Sequence, residues 1–366
     1  MKVECSKEKF CSAVSKSEKV TGKNMTLPIL SCILIEAKNN LMIFKATNLD
    51  LGIEVSIPAK VSKEGLVAVP GSVLNGFLAN LSSDNNLLIE EKDGNLHISN
   101  GSSQATIKSH PTDDFPSIPR VKDGKSHEIS SSEFVKGLKA VNYSASFSSI
   151  KPELSSVYIH ADSEGLLFVA TDSFRLAEKR IKGKKTEDFG QILIPFKNVN
   201  DLLKIIGDEK DLLEINFTKN QISLTYKDTY IVSRVIDGIF PDYKQIIPKE
   251  FKTEVVLLKQ DLINTLKISN IFSDSFNQIN IKVSPSDKKL ELKTKNTNIG
   301  ENVNKLSAVI TGEAIEINFN YKYIIDCFQS IDSDSVSLSF NGLNKPMVIR
   351  GVSDKTFTYL VMPMNR

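Results

Sequence analysis

The stretch IPFKNVNDLLKIIG, Ile194 to Gly207, decides the reading of this chain because it occurs three times. Its apolar residues Val199, Leu202, Leu203 and Ile206 recur at i, i+3, i+4 and i+7, one face of a short amphipathic helix. The same four places 125 residues earlier hold Leu74, Phe77, Leu78 and Leu81, and 125 residues later Ile324, Cys327, Phe328 and Ile331. A strand-like residue enters each copy: Val69, Ile194 and Phe319. Pro70 and Pro195 follow in the first two, at the first helical turn, where a missing N–H costs nothing. A period of this kind has to be sought before any other reading, since missing it miscalls the whole fold.

The repeat extends outward from that helix. A second helical stretch opens each unit, and there Phe10, Phe134 and Leu262 correspond, with Val14, Leu138 and Leu266 one turn on. Strand-like segments follow, with Ile33, Val157 and Ile281 aligned, and their return strands put Asn48, Asp172 and Asn296 in register. Hairpins such as LLIEEKDGNLHI carry a strong turn signal at Asp93-Gly94. The exit also repeats, Phe115-Pro116 against Phe240-Pro241. Two short helices against many hairpin strands in each unit predict an α+β fold with antiparallel sheets. Polar or proline-containing linkers near Val121 to Lys125 and Pro248 to Thr253 divide the chain into domains 1–124, 125–250 and 251–366.

Composition is that of a globular protein: 366 residues, 40% hydrophobic and 25% charged. No signal peptide and no membrane-length apolar run is present, so the sequence predicts a cytoplasmic protein with no membrane partner. Cys5, Cys11, Cys32 and Cys327 lack pairing or metal-ligand spacing and read as reduced thiols. Net charge is +2, but the six helical stretches carry 11 basic against 6 acidic residues while the remainder is net −3. Lysine is a good helix former on a solvated face. If the six helices share one surface, the same lysines attract a phosphate backbone without reading bases.

Enzyme chemistry is not indicated. There is no phosphate-binding glycine loop, and His97, His110, His127 and His160 stand isolated, with no metal site or cofactor motif. The rival reading is a metal-dependent hydrolase or nuclease using Asp113, Asp114 and Asp172, which lacks a companion His or metal constellation.

Three further stretches carry a family resemblance: TLPIL at Thr26 to Leu30, ATDSFRLA at Ala170 to Ala177 with DGIFPDY at Asp237 to Tyr243, and YLVMPM at Tyr359 to Met364. In this order, and across three repeats, the chain resembles the bacterial sliding clamp, the beta subunit of DNA polymerase III. The resemblance implies three clamp-type domains, each with two helices packed on antiparallel sheets, assembled head to tail into a ring around duplex DNA. It implies no catalytic residues. Partners would be duplex DNA, held topologically and without sequence preference, a second copy of the chain, the replicative polymerase subunit, the clamp loader, and other polymerases and repair proteins.

The resemblance also assigns residues. Leu154, Thr171, Ser173, Phe174, Arg175, Leu176, Pro241, Ile246, Val361, Met362, Pro363 and Met364 stand at matching positions of a partner-peptide pocket. Lys197 matches a DNA-facing lysine, and Lys23, Lys136, Lys139, Lys204 and Lys267 are the further candidates for that face. Ile271 and Phe272 match apolar dimer contacts. The chain departs from the family at Phe174, where a His or Tyr is usual, at Asn24, where Arg is common, and at Pro152-Glu153, which replace tyrosines of some members.

Overall fold

The computed structural model describes residues 1–22, 27–81, 86–121, 126–183 and 189–364. Three successions of the same elements appear in it. The first repeat runs β1 (Lys2–Cys5), α1 (Lys7–Glu18), β2 (Cys32–Lys38), β3 (Leu41–Thr47), β4 (Leu51–Pro58), β5 (Lys60–Lys63), β6 (Gly65–Pro70), α2 (Gly71–Ala79), β7 (Leu87–Lys92), β8 (Asn95–Ser99) and β9 (Gln104–Lys108). The second runs β10 (His127–Ser130), α3 (Ser131–Val141), β11 (Ser156–Asp162), β12 (Gly165–Thr171), β13 (Arg175–Lys182), β14 (Ile192–Pro195), α4 (Phe196–Ile206), β15 (Leu212–Phe217), β16 (Gln221–Tyr226) and β17 (Thr229–Arg234), with no counterpart of β5 among the described residues. The third runs β18 (Thr253–Leu258), α5 (Lys259–Ile271), β19 (Gln278–Ser284), β20 (Lys289–Asn296), β21 (Gly300–Ser307), β22 (Val309–Gly312), β23 (Ile315–Asn320), α6 (Tyr321–Asp326), β24 (Ser335–Phe340), β25 (Met347–Gly351) and β26 (Phe357–Val361).

The predicted helix faces are largely the buried ones. Phe10, Val14, Phe134, Leu138, Leu262 and Leu266 are all buried. On α4 the buried set is Val199, Leu202, Ile205 and Ile206, with Leu203 half-exposed, so the face is turned slightly from the periodicity. Pro70 caps α2 from outside its first turn. One alignment needs correction. Ile33 pairs with Val69 and Val157 with Ile194, but it is Ile279 that pairs with Phe319, so Ile279 is the true counterpart rather than Ile281. The turn from β19 to β20 is longer, and a slip of two residues keeps every side chain on its face, so the pattern cannot reveal it.

Strand pairing explains how the repeats join. All strand pairs among the described residues are antiparallel. An eight-stranded sheet, β10-β15-β16-β17-β4-β3-β2-β6, forms where β17 of the second repeat pairs with β4 of the first. A nine-stranded sheet, β14-β11-β12-β13-β26-β25-β24-β18-β22, forms where β26 of the third pairs with β13 of the second. The second repeat thus gives half its strands to each neighbour. This is why the chain falls into two compact units, Met1–Val135 with Lys197–Val235, and Lys136–Phe196 with Ile236–Arg366. Smaller sheets hold the remaining halves, β5-β1-β7-β8-β9 in the first unit and β21-β20-β19-β23 in the second.

In the first unit α1 packs on β3 and β4, where the Phe10 and Phe44 rings meet edge to face at 5.1 Å. Burying one such ring contributes about 1.5–3 kcal/mol. In the second unit Gly137 of α3 lies against Phe168 of β12, and a Cβ there would stand 2.5 Å from the ring. Among the described residues no helix is long and apolar enough to cross a membrane.

Candidate functional site

The ATDSFRLA stretch forms the tight turn between β12 and β13. The Asp172 carboxylate accepts the backbone N–H groups of Phe174 and Arg175, both at 2.9 Å. The Thr171 hydroxyl donates to the Arg175 carbonyl at 2.6 Å and accepts from the Ser173 N–H at 3.1 Å. These bonds hold Ser173 at φ 78°, a left-handed conformation that a non-glycine residue adopts only when its surroundings over-determine it. The turn leaves Phe174 61% exposed at its tip and turns Arg175 inward.

Arg175 is buried, and its charge is accounted for. Nε meets Asp172 at 3.0 Å and an Nη meets Asp326 of α6 at 2.6 Å, while the guanidinium lies 4.6 Å from the centre of the Tyr323 ring. Burial works to lower its pKa, but the Tyr359 hydroxyl and the Asp326 and Asp172 carboxylates outweigh that and hold it protonated more firmly than an ordinary arginine. Asp172, named in the hydrolase reading, is thereby committed to the turn and to Arg175. Asp113 and Asp114 are plain exposed loop carboxylates, and no cluster of metal-ligating groups occurs among the described residues.

The remaining assigned residues of this site fall in the same unit. Val361 is fully buried and pairs with Arg175 across β13 and β26. Beyond it the tail is tied down twice: the Met362 N–H donates to the Phe174 carbonyl and the Met364 N–H to the Asn318 carbonyl, both at 2.8 Å. Met362, Pro363 and Met364 remain partly exposed. Leu154, Thr171 and Leu176 are buried, whereas Ser173, Pro241 and Ile246 are exposed. The segment carrying Pro241 and Ile246 lies on the nine-stranded sheet, with Phe240 and Tyr243 packed against Tyr158, Val169, Leu176, Leu193 and Leu360. Buried aliphatic floor, exposed aromatic and aliphatic rim, and one fixed cation suit an extended peptide with a hydrophobic end.

Sequence reasoning missed Tyr323, Asp326 and Asn318. A buried arginine demands a carboxylate partner, but nothing in the sequence says which of 44 acidic residues supplies it.

The other assigned residues are scattered over both units. Lys136, Lys139, Lys197, Lys204 and Lys267 are exposed on α3, α4 and α5. Lys136 is paired with Asp332 at 2.6 Å, and Lys204 with Asp201 at 3.2 Å. Lys23, Asn24 and Thr26 lie outside the described residues, while Ile29 and Leu30 of the TLPIL stretch are buried core. Ile271, at the end of α5, is 63% exposed and Phe272 half-buried.

Comparison with known proteins concerns the chain as a whole. The family models of the DNA polymerase III beta subunit match in order: the N-terminal domain over residues 1–119, the central domain over 128–242 and the C-terminal domain over 244–365. The beta sliding clamp of Synechococcus elongatus is 26% identical over 371 residues, covering 100% of this chain and 99% of the relative. The crystal structure of the Thermotoga maritima DNA polymerase III beta subunit superposes with a TM-score of 0.94 at 26% identity, covering 100% and 99% of the two chains. That of the Bacillus subtilis sliding clamp gives 0.93 at 25% identity, with the same coverage.

Proposed function

The chain belongs to the DNA polymerase III beta-subunit family, and from that premise we propose that it closes head to tail as a homodimer and holds partner proteins in the cleft around Arg175. It is a sliding clamp, a non-catalytic DNA polymerase processivity factor. Its natural setting is the bacterial cytoplasm, on duplex DNA, with domains divided at 1–124, 125–250 and 251–366.

The observation that carries ring closure is the order of strands. At both internal joints the last strand of one repeat pairs with the β4-type strand of the repeat before it, β17 with β4 and β26 with β13. By the same correspondence β9 and β21 are the two halves of a third joint, and among the described residues each has one edge without a strand partner. A second copy supplies the missing half in both places. Unpaired edges of this kind are an aggregation liability unless covered, and a closed two-fold assembly covers them. The exposed Ile271, one helix from β21, fits the apolar part of that contact.

Lysines scattered along α3, α4 and α5 give a register-free attraction for phosphates, which is what a sliding tether needs. The cleft takes hydrophobic-ended segments of the replicative polymerase subunit, the clamp loader, other polymerases and repair proteins, one at a time. The deciding experiment combines the mass in solution with retention on circular against linear DNA after loading. A dimer retained on circles and lost from free ends is expected; a monomer, or equal retention on both, refutes the proposal.

A further inference from the structure

The segment that carries Pro241 and Ile246 has little regular structure of its own, only one short 3-10 turn, Tyr243–Gln245. Its upstream end is tied to the sheet by the Ile236 N–H, which donates to the Leu193 carbonyl of β14 at 2.9 Å; from Pro241 to Ile246 the attachment is by side chains. One residue dominates that attachment. The Tyr243 backbone N–H donates to the Pro241 carbonyl at 2.7 Å, and its carbonyl accepts from the Ile246 N–H at 3.0 Å, so both exposed residues hang directly from it. Its side chain is 3% exposed. The hydroxyl donates to the Glu178 carboxylate of β13 at 2.7 Å and lies 3.2 Å from His160 Nε2 of β11. The ring stands edge to face with Phe240, which in turn stacks on Tyr158 at 4.7 Å. Glu178 lies on the strand that begins at Arg175, so the fixing point and the cleft share one rigid element.

We infer that Tyr243 is a positioning residue for the partner cleft, and that its hydroxyl, held by Glu178, sets where Pro241 and Ile246 stand against the incoming peptide. The inference rests on the cleft assignment made above. The apolar contacts of Phe240 and Tyr243 fix how deep the segment lies, but a ring can slide on an apolar surface; the directed contacts of the hydroxyl, the charge-assisted bond to Glu178 first and the hydrogen-bond contact with His160 Nε2 second, fix its lateral place. Burial and the neighbouring carboxylate both push the Tyr243 hydroxyl well above its ordinary pKa, so it stays a donor throughout the working pH range. Glu178 is partly exposed, so removing the tyrosine hydroxyl leaves a carboxylate that water can still solvate, and the fold survives.

The test is fluorescence polarisation with a labelled peptide bearing two adjacent leucines and a terminal phenylalanine, on full-length protein. Tyr243→Phe is expected to weaken binding about three- to tenfold, the effect of one charge-assisted hydrogen bond at a partly exposed site. Glu178→Gln keeps an acceptor and is expected to bind almost as wild type, while Glu178→Ala behaves like Tyr243→Phe and the double variant is no worse than either. Tm of every variant is expected within a few degrees of wild type. Unchanged affinity in Tyr243→Phe, or additive losses in the double variant, would overturn the inference while leaving the cleft standing. So would a failure of Glu178→Gln to restore binding alongside a fall in Tm. Absence of peptide binding by the wild type would instead refute the cleft assignment itself.

Discussion

Removing Met362 to Arg366 separates the cleft from the fold. Val361 is fully buried and paired with Arg175, so β26 keeps its place when the chain stops there. The stability lost from the described tail is the two backbone hydrogen bonds to Phe174 and Asn318, worth about 1 kcal/mol each. A truncated protein therefore folds, with Tm lowered by a few degrees. Peptide affinity should suffer more. In the proposed cleft the partly exposed Met362 and Met364 cover a leucine or phenylalanine of the peptide, and exposing such a side chain costs about 1.5–3 kcal/mol. That converts to a Kd about 10- to 150-fold weaker. The assay is fluorescence polarisation on full-length and truncated protein, with sedimentation as the control for assembly. Unchanged peptide affinity in a truncated, still dimeric protein would show that the cleft lies elsewhere.

Charge placed at the end of α5 should open the ring: Ile271→Asp with Phe272→Asp is expected to give folded monomers by sedimentation at micromolar concentration, because an unpaired charge in an interface is costly, and a persistent dimer would refute that contact. Direct binding to a short linear duplex should be weak and fall steeply between low and physiological salt in a filter or polarisation assay; tight, sequence-dependent binding would contradict a topological tether. The Lys179–Asp354 pair, 3.0 Å apart with both side chains nearly buried, should be structural. Asp354→Ala leaves the ammonium unpaired and is expected to lower unfolding free energy by about 3–5 kcal/mol in urea titrations. Burial opposes ionisation of Asp354, but its bonds with Thr356 and Lys179 prevail and depress its pKa. Its contribution is therefore complete above the unfolded value of about 4 and disappears as pH falls through the lower folded value. Wild type should lose more stability over that window than Asp354→Ala, and parallel acid titrations would refute it.

The sequence was most legible where a pattern repeats and least where two distant residues meet. Helix faces such as Phe10 with Val14 and Leu262 with Leu266 follow from spacing alone, because burial acts on each helix separately. The partition of the second repeat between two sheets does not, since β17 pairing with β4 leaves no mark on either strand's alternation. The cleft residues came from motif resemblance and fall within one unit, yet the reason Arg175 can be buried, Asp326 of α6, lies 151 positions away. Tyr243 stood in a recognised motif as one aromatic among several; the bonds of its hydroxyl, to Glu178 and with His160, distinguish it.

The repeat also shows how the two internal joints differ. The turn before β4 matches the turn before β13 bond for bond. Thr47 Oγ donates to the Leu51 carbonyl at 2.9 Å as Thr171 does to Arg175, and Leu49 takes φ 76° as Ser173 takes 78°. The backbone past the turn is matched as well: the Arg234 N–H donates to the Asp50 carbonyl at 2.8 Å, as Met362 does to Phe174. The side chains then diverge. Where the second joint has Arg175 and Leu176, the first has Leu51 and Gly52. The missing side chain at Gly52 is filled by the protein itself, for a Cβ there would stand 3.1 Å from Ile118 and 3.2 Å from Val232. A buried cation with its carboxylates keeps the second site polar at one point, whereas at the first Ile118 and Val232 close over Gly52 and leave a small pocket lined by Thr47, Leu49, Leu51 and Val232. The repeat sets the same turn at each joint, and a few side chains decide what chemistry that turn presents.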